Sequence, residues 1–391
     1  MKSKLEYLVK HNKILQKLFT FFGSLFLKFL GLFVKTDEKM ILFSSFMGKS
    51  YNDSPRCIYE FLLNHNEYGF KFVWAFEEPE KFSNLGCIVV KIDTLKYFLY
   101  ALKAKYWVTC VNIERGLHFK KKKTVYINTW HGIAIKKIGN DCGTRKDYDF
   151  SKINYFCVSS EYDEKIFASA FNTSKSNYLE CGMPRNDELY EFKDNSEYIK
   201  SLKIKLNLPL DKKIILYAPT WRESNDLGKS YKIQVPVDFK NWENELGKDY
   251  IVLFRAHVKT TEIMNIEFND FIKDFSKYDL INDLLLVSDL LISDYSAISF
   301  DYSILCKPII CFAFDYDSYL LERGVYIDPK ELFKDNFVNT ETELIDRIKL
   351  INSNVEDEIT KQIKEVYLQY GANATKICSE IILKDFNRSN V

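Results

Sequence analysis

Residues 287–319 read VSDLLISDYSAISFDYSILCKPIICFAFDYDSY, and this stretch decides the fold class. Leu290 to Ile292 is a short apolar run that ends in Ser293 and Asp294. A helical pattern opens near Ser296, and a second apolar run follows Lys307-Pro308. Short apolar runs bounded by turn residues read as buried strands, and the order strand, turn, helix, strand places parallel strands in one sheet. The hydroxyl-rich turn also sets backbone N–H groups at a helix start, where unpaired donors and the macrodipole favour an anion such as phosphate. A Ser or Asp that merely caps its own helix is the plain alternative.

The alternation extends in both directions. Met40 to Phe46, Phe70 to Phe76, Cys87 to Ile92, Tyr106 to Cys110, Thr124 to Asn128 and Asn154 to Val158 read as strands, with helices at Arg56 to Leu63, Thr94 to Ala104 and Tyr162 to Phe171. A second series follows, with strands at Ile214 to Tyr217, Ile251 to Phe254, Leu290 to Ile292 and Ile309 to Phe312. Its helices lie at Phe239 to Glu245, Asn282 to Val287 and Ser296 to Leu305. This is the pattern of two α/β domains in tandem, with ligands outside the carboxyl ends of the strands and a cleft between the two sets of ends. The expected division is an anchor helix over 1–36, an acceptor domain over 37–195 and a donor domain with terminal helices over 196–391. The lysine-rich segment from Asn186 to Lys213 is read as the connection, and the helical tail from Thr340 to Leu383 as docking on one or both domains.

The 391 residues carry a net charge of +1, so no polyanion signature marks a nucleic-acid binder. The nine cysteines are scattered, without a CxxC pair, and most sit in apolar runs, as in a reduced cytosolic protein without disulfides or structural zinc. Residues 14–34, ILQKLFTFFGSLFLKFLGLFV, have the length of a membrane span. Lys13, Lys17, Thr20, Ser24, Lys28, Gly31 and Lys35 recur every three or four residues as one polar stripe, with Leu and Phe around the rest. A spanning helix would put Lys17 and Lys28 in hydrocarbon at up to about 3 kcal/mol for a central charge. A helix lying in the interface, its basic stripe near anionic lipid, avoids that cost. The reading is a peripheral, monotopic anchor on the cytoplasmic face of the membrane; a helix packed on the protein's own core is the alternative.

The informative polar residues follow predicted strands. His131 and Gly132 come after Thr129-Trp130, and Lys136 and Lys137 one turn on are assigned to acceptor binding. An imidazole at a strand end can accept a proton at neutral pH. Arg255 and His257 follow the strand IVLF, and guanidinium forks onto phosphate oxygens as ammonium cannot. Thr220 and Arg222 follow the strand ILY within Ala218-Pro219-Thr220-Trp221-Arg222. The turn Cys181-Gly182-Met183-Pro184-Arg185-Asn186-Asp187 is either a site element or an exit loop. The run His118 to Lys123 is either a solvated edge or a contact with an anionic surface. Asp315 and Asp317 could hold Mg²⁺ against a diphosphate, but no other acidic cluster supports them, so no cofactor is required and a divalent metal is not favoured.

NTWHGIAIKKIG, CGMPRND, ILYAPTWRE, FRAH and SDLLISDYSAISFDYSILCKPII occur in the order and spacing of the CDP-glycerol glycerophosphotransferases, the family of teichoic acid primases, polymerases and related capsule enzymes, which this chain resembles over roughly residues 40–350. The resemblance implies a GT-B architecture of two Rossmann-like domains facing a cleft. It implies a CDP-glycerol or CDP-ribitol donor and a polyprenyl-diphosphate-linked or polymer acceptor at the membrane. The family's two functional histidines would fall on His131 and His257, as catalytic residues. Its phosphate contacts would fall on Arg255, Thr220, Ser293, Ser296 and Asp301, with Asp294 and Arg222 beside them in the donor site. A sugar-nucleotide glycosyltransferase of the same fold and a catalytically silent nucleotide-binding protein are the rival readings. The chain departs from the family pattern at Val258, where proline usually stands, and at Asp328 to Leu332, in place of a Pro-Gly-Pro element.

Overall fold

The structure is a computed structural model and describes residues 12–143, 148–220, 236–256, 266–351 and 357–389. Seven strands form the first sheet: β1 (Asp37–Ser44), β2 (Lys71–Phe76), β3 (Ile88–Lys91), β4 (Ala104–Thr109), β5 (Val125–Asn128), β6 (Tyr155–Val158) and β7 (Tyr178–Glu180). Six form the second: β8 (Lys213–Tyr217), β9 (Tyr250–Phe254), β10 (Ile272–Asp274), β11 (Leu290–Ser293), β12 (Ile309–Phe312) and β13 (Phe337–Val338). The helices are α1 (Lys13–Phe33), α2 (Asp53–Asn64), α3 (Leu95–Lys103), α4 (Glu161–Phe171), α5 (Asp187–Phe192), α6 (Ser196–Lys205) and α7 (Phe239–Leu246). They continue with α8 (Ile281–Val287), α9 (Ile298–Ser303), α10 (Tyr316–Arg323), α11 (Pro329–Phe333), α12 (Glu341–Leu350), α13 (Glu358–Tyr367) and α14 (Ala374–Ser389).

Every described strand pair is parallel. The orders are β3-β2-β1-β4-β5-β6-β7 and β10-β9-β8-β11-β12-β13. Each order reverses once, between β1 and β4 in the first sheet and between β8 and β11 in the second. Loops leaving the strands on either side of a reversal diverge to opposite faces and leave a crevice at the carboxyl ends. Apolar clusters cover both faces of both sheets, which is why their strands read as continuous apolar runs rather than alternating ones.

Two boundaries differ from the sequence reading. The segment after Asn186 is not a linker: α5 and α6 put Leu189 and Leu202 into the second sheet's core beside Leu216 and Leu291. The final helix α14 leaves the expected 196–391 domain and returns to the first sheet, burying Cys378, Ile382 and Phe386 against Tyr106, Ile127 and Cys157. Asp187 caps α14, accepting from the N–H groups of Ala374 (3.0 Å) and Thr375 (2.8 Å). The sulfurs of Cys157, Cys181 and Cys378, far apart in sequence, converge within 4.8 Å. Strands β7, β10 and β13, two or three residues each, had too short an apolar signature to be read from sequence.

Helix α1 docks on the first domain through Gly23, Ser24, Leu27 and Gly31, two of which, Ser24 and Gly31, belong to the stripe that the sequence reading turned toward lipid, while Lys17, Lys28 and Lys35 of that stripe stay exposed. The amide of His118 donates to Ser24 Oγ at 3.0 Å, and Lys121 Nζ donates to the Val34 carbonyl. A Cβ on Gly23 would stand 3.0 Å from Leu117, and one on Gly31 3.2 Å from Leu102, so the small residues are what let the helix lie close. Leu15, Leu18, Phe19, Phe22, Leu25, Phe26, Phe29 and Phe33 are left exposed on the other side. Ser24 and Gly31 thus face protein rather than headgroups, because the closest backbone approach requires the smallest side chains.

Candidate active site

Three loops meet at the first reversal. The loop after β1 begins at Ser45, that after β4 at Cys110, and that after β5 carries His131. His131 Nδ1 lies 2.7 Å from the Cys110 carbonyl oxygen. A carbonyl only accepts, so Nδ1 carries the proton and the Nε2 lone pair of the neutral ring is left to take another. The ring is held against Trp130 (4.1 Å between centroids) and the edge of Phe46 (5.6 Å). Burial lowers the pKa of His131; the Cys110 carbonyl and Asp53 oppose that, and Arg185 and Lys136 add to it. Four non-glycine residues here have left-handed backbone, Phe46, Met47, Asp53 and Trp130, with φ of 42°, 59°, 60° and 52°. Such strain persists where the surroundings over-determine the backbone, typically at functional sites.

Beyond His131 the chain crosses to the second sheet. Ile133 and Ile135 are buried in the same cluster as Leu216 and Phe300. Lys136 bridges Val325 in antiparallel fashion, Tyr326 N–H donates to the Ile135 carbonyl (2.7 Å) and Lys137 N–H to the Gly324 carbonyl (3.1 Å). The two lysines assigned to the acceptor therefore lie on a seam between the domains, and the segment that departs from the family pattern begins at that seam. Gly132 has φ +146°, and a Cβ there would stand 2.6 Å from Ala297 Cβ. Only a residue without Cβ allows this approach, which brings the histidine loop against the turn that opens α9.

At the second reversal the sequence-derived residues divide by what they already bind. Ser293 is buried and donates to the Ala218 carbonyl at 2.7 Å, and Asp294 accepts from the N–H groups of Thr220 (2.9 Å) and Tyr295 (2.7 Å). Both help to hold the turn's shape. Asp301, expected at a phosphate, is buried and accepts from Arg185 Nη2 and Asn186 Nδ2, each at 2.8 Å. Ser296 is partly exposed, its hydroxyl accepting from Ile298 N–H at 3.3 Å. The N–H groups of Ser296 and Ala297 have no acceptor among the described residues. Arg255 follows β9 and donates through Nη1 to the carbonyls of Phe275 and Tyr278, while Nε and Nη2 have no acceptor among the described residues. Burial lowers its pKa, but a guanidinium stays charged throughout. His257 and Arg222 lie outside the described residues. Asp315 accepts from Tyr295 Oη at 3.2 Å, and no third carboxylate or imidazole joins it and Asp317 among the described residues.

Asp53 and Arg185 escaped the sequence reading as site residues. Arg185 stood in the quoted CGMPRND turn, but nothing in one dimension showed that its partners lie in α2 and α9.

Two doubly wound parallel sheets, with His131 at one reversal and the N–H groups of Ser296 and Ala297 and the Arg255 guanidinium near the other, form an architecture of GT-B type. The sequence model of CDP-glycerol:poly(glycerophosphate) glycerophosphotransferases matches residues 26–383, and the chain belongs to that family. It is 35% identical over 366 residues to the teichoic acid glycerol-phosphate transferase of Staphylococcus aureus, covering 88% of this chain and 93% of that one. It is 33% identical over 403 residues to the teichoic acid poly(glycerol phosphate) polymerase of Bacillus spizizenii, covering 98% and 100%. The solved structure of the wall teichoic acid polymerase TagF, in its H548A form, superposes with a TM-score of 0.81 at 31% identity over 90% of each chain.

Proposed function

We propose that this chain transfers glycerol phosphate from CDP-glycerol to a hydroxyl of a membrane-linked teichoic acid acceptor by in-line attack. The acceptor oxygen forms a bond to the phosphorus that bears glycerol, the phosphorus–oxygen bond to CMP breaks, and the acceptor proton passes to His131 Nε2. The observation that carries the reading is the tautomer of His131: the Cys110 carbonyl takes Nδ1–H and leaves Nε2 unprotonated, on a loop whose Gly132 lies against Ala297 of the α9 turn. Arg255 and the N–H groups of Ser296 and Ala297 neutralise the diphosphate as charge moves onto CMP, and His257 is assigned beside them from the family pattern. This charge set needs no divalent ion, so activity is expected to survive chelation by EDTA. Family membership and the names of the relatives support the glycerol donor; CDP-ribitol is the finer alternative, tested by offering each CDP-alditol with one acceptor. CMP release is expected only with donor and lipid-linked acceptor together, and His131→Ala is expected to slow it by about 10³-fold; turnover within a few-fold of wild type would remove His131 as the base.

The acceptor's place at the membrane agrees with the exposed face of α1. The helix is long and apolar enough to cross a bilayer by length and composition, but Ser24, at its middle, is bonded to the His118 amide of the first domain. The helix therefore lies along the domain and enters the interface sideways, on the cytoplasmic side where nucleotide donors are found. Replacing Phe22, Phe26 and Phe29 by Ser is expected to move the protein from the membrane pellet to the supernatant, with turnover of a soluble acceptor retained.

A further inference from the structure

A buried ion cluster spans the two domains directly below the histidine loop. Arg185, in the turn after β7, donates through Nη1 to Asp53 Oδ2 of α2 at 2.7 Å and through Nη2 to Asp301 Oδ2 of α9 at 2.8 Å. Asn186 Nδ2 donates to the other oxygen of Asp301 at 2.8 Å, and Asn282 Nδ2 to the Arg185 carbonyl at 2.6 Å. The three charged side chains are between 6% and 11% exposed. Ion clusters this deep are poor stabilisers, since apolar residues of equal volume commonly serve as well. A guanidinium fork, however, fixes its partners in distance and plane.

Here the partners are α2, which begins at Asp53, and α9, whose opening turn faces the proposed diphosphate. A Cβ on Gly132, next to His131, would stand 3.6 Å from Arg185 Nη2. The fork thus underlies the contact between base and phosphate turn. The charges facing His131 are Asp53, which favours its protonated form, and Arg185 and Lys136, which disfavour it; Asp301 stands behind Arg185. The buried Cys110 thiol, pushed up to about 12 by burial, is neutral.

We propose that Arg185 is a positioning residue for the transfer step: clamped between Asp53 and Asp301, it sets the spacing and tilt of His131 relative to the Ser296–Ala297 turn. This rests on His131 as base, so His131→Ala is measured alongside; unchanged turnover in that variant alone sinks the base assignment and leaves the clamp to be judged by kcat. Arg185→Lys keeps the charge and loses the fork. It is expected to lower kcat at least 30-fold while the KM for CDP-glycerol changes less than threefold. Asp53→Asn removes the anion nearest His131, disfavours the imidazolium further, and is expected to move the acidic limb of the kcat profile to lower pH by at least 0.3 unit. Should Arg185→Lys not fold, Asp53→Asn and Asp301→Asn decide: kcat within twofold of wild type for both, with an unmoved acidic limb, would reduce the cluster to domain adhesion. A lower melting temperature with wild-type kcat per folded molecule in Arg185→Lys would do the same.

Discussion

The two reversal points of this molecule occupy equivalent places in equivalent sheets, yet they treat their polar residues differently. At the first, the side chain marked by the sequence, His131, keeps a nitrogen available because a backbone carbonyl takes its other one. At the second, Ser293, Asp294 and Asp301 are all turned inward on backbone or on Arg185, and what faces the opposite domain is largely main chain with Ser296. A strand's carboxyl end thus locates a site. Whether a given side chain there acts or holds the turn depends on whether its hydrogen bonds are already satisfied.

The sharpest way to break this comparison is at its first member. His131→Ala is expected to lower kcat by about 10³-fold, within the 10²–10⁴ range of general base catalysis, with the fold kept, as circular dichroism would show. Next comes Gly132→Ala. Its methyl would lie 2.6 Å from Ala297 Cβ, so the two loops must part; about 2 kcal/mol of stability and a tenfold or larger loss in kcat are expected, read by thermal denaturation and CMP release.

A smaller effect concerns pH. Burial depresses His131 below its ordinary value of 6.5, so the neutral base persists as pH falls and the acidic limb of kcat is expected below pH 6.5. The same depression costs stability only below about pH 6.5, where the unfolded imidazole binds a proton before the folded one does. An acidic limb above pH 7 would contradict the buried tautomer.

The smallest effect separates holder from actor at the second reversal. Ser293→Ala is expected to cost about 1 kcal/mol of stability, by orphaning the Ala218 carbonyl, with the KM for CDP-glycerol unchanged. Ser296→Ala, which loses only the long, partly exposed bond from Ile298 N–H, should lower the melting temperature less than Ser293→Ala and raise that KM about fivefold. The reverse pattern would restore Ser293 as a donor contact.

Much of the architecture was legible in the sequence, because a strand buried on both faces must be apolar along its length. Leu290 to Ile292 and Ile309 to Phe312 could be read within a residue of their observed bounds. The positions of His131, Arg255 and Ser296 at strand ends were legible for the same reason. The lysine-rich segment after Asn186 was misread as a linker because its helices bury only a few residues each, Leu189 and Leu202 among them, too few to dominate the pattern. Of the stripe of α1, Ser24 and Gly31 turned out to face the first domain while Lys17, Lys28 and Lys35 stay exposed, since small residues suit a close protein contact as well as a headgroup layer.

By itself the sequence determined two tandem α/β domains, the loops on which the candidate site residues lie and the family, since these follow from apolar periodicity and from motifs in fixed order. Only the tertiary structure decided which groups are free to act. That Nδ1 of His131 is occupied, that Asp301 pairs with Arg185, and that Gly132 admits Ala297 all depend on residues from 21 to more than a hundred positions apart being brought within hydrogen-bond or contact distance. Such short-range forces leave no periodic trace along the chain.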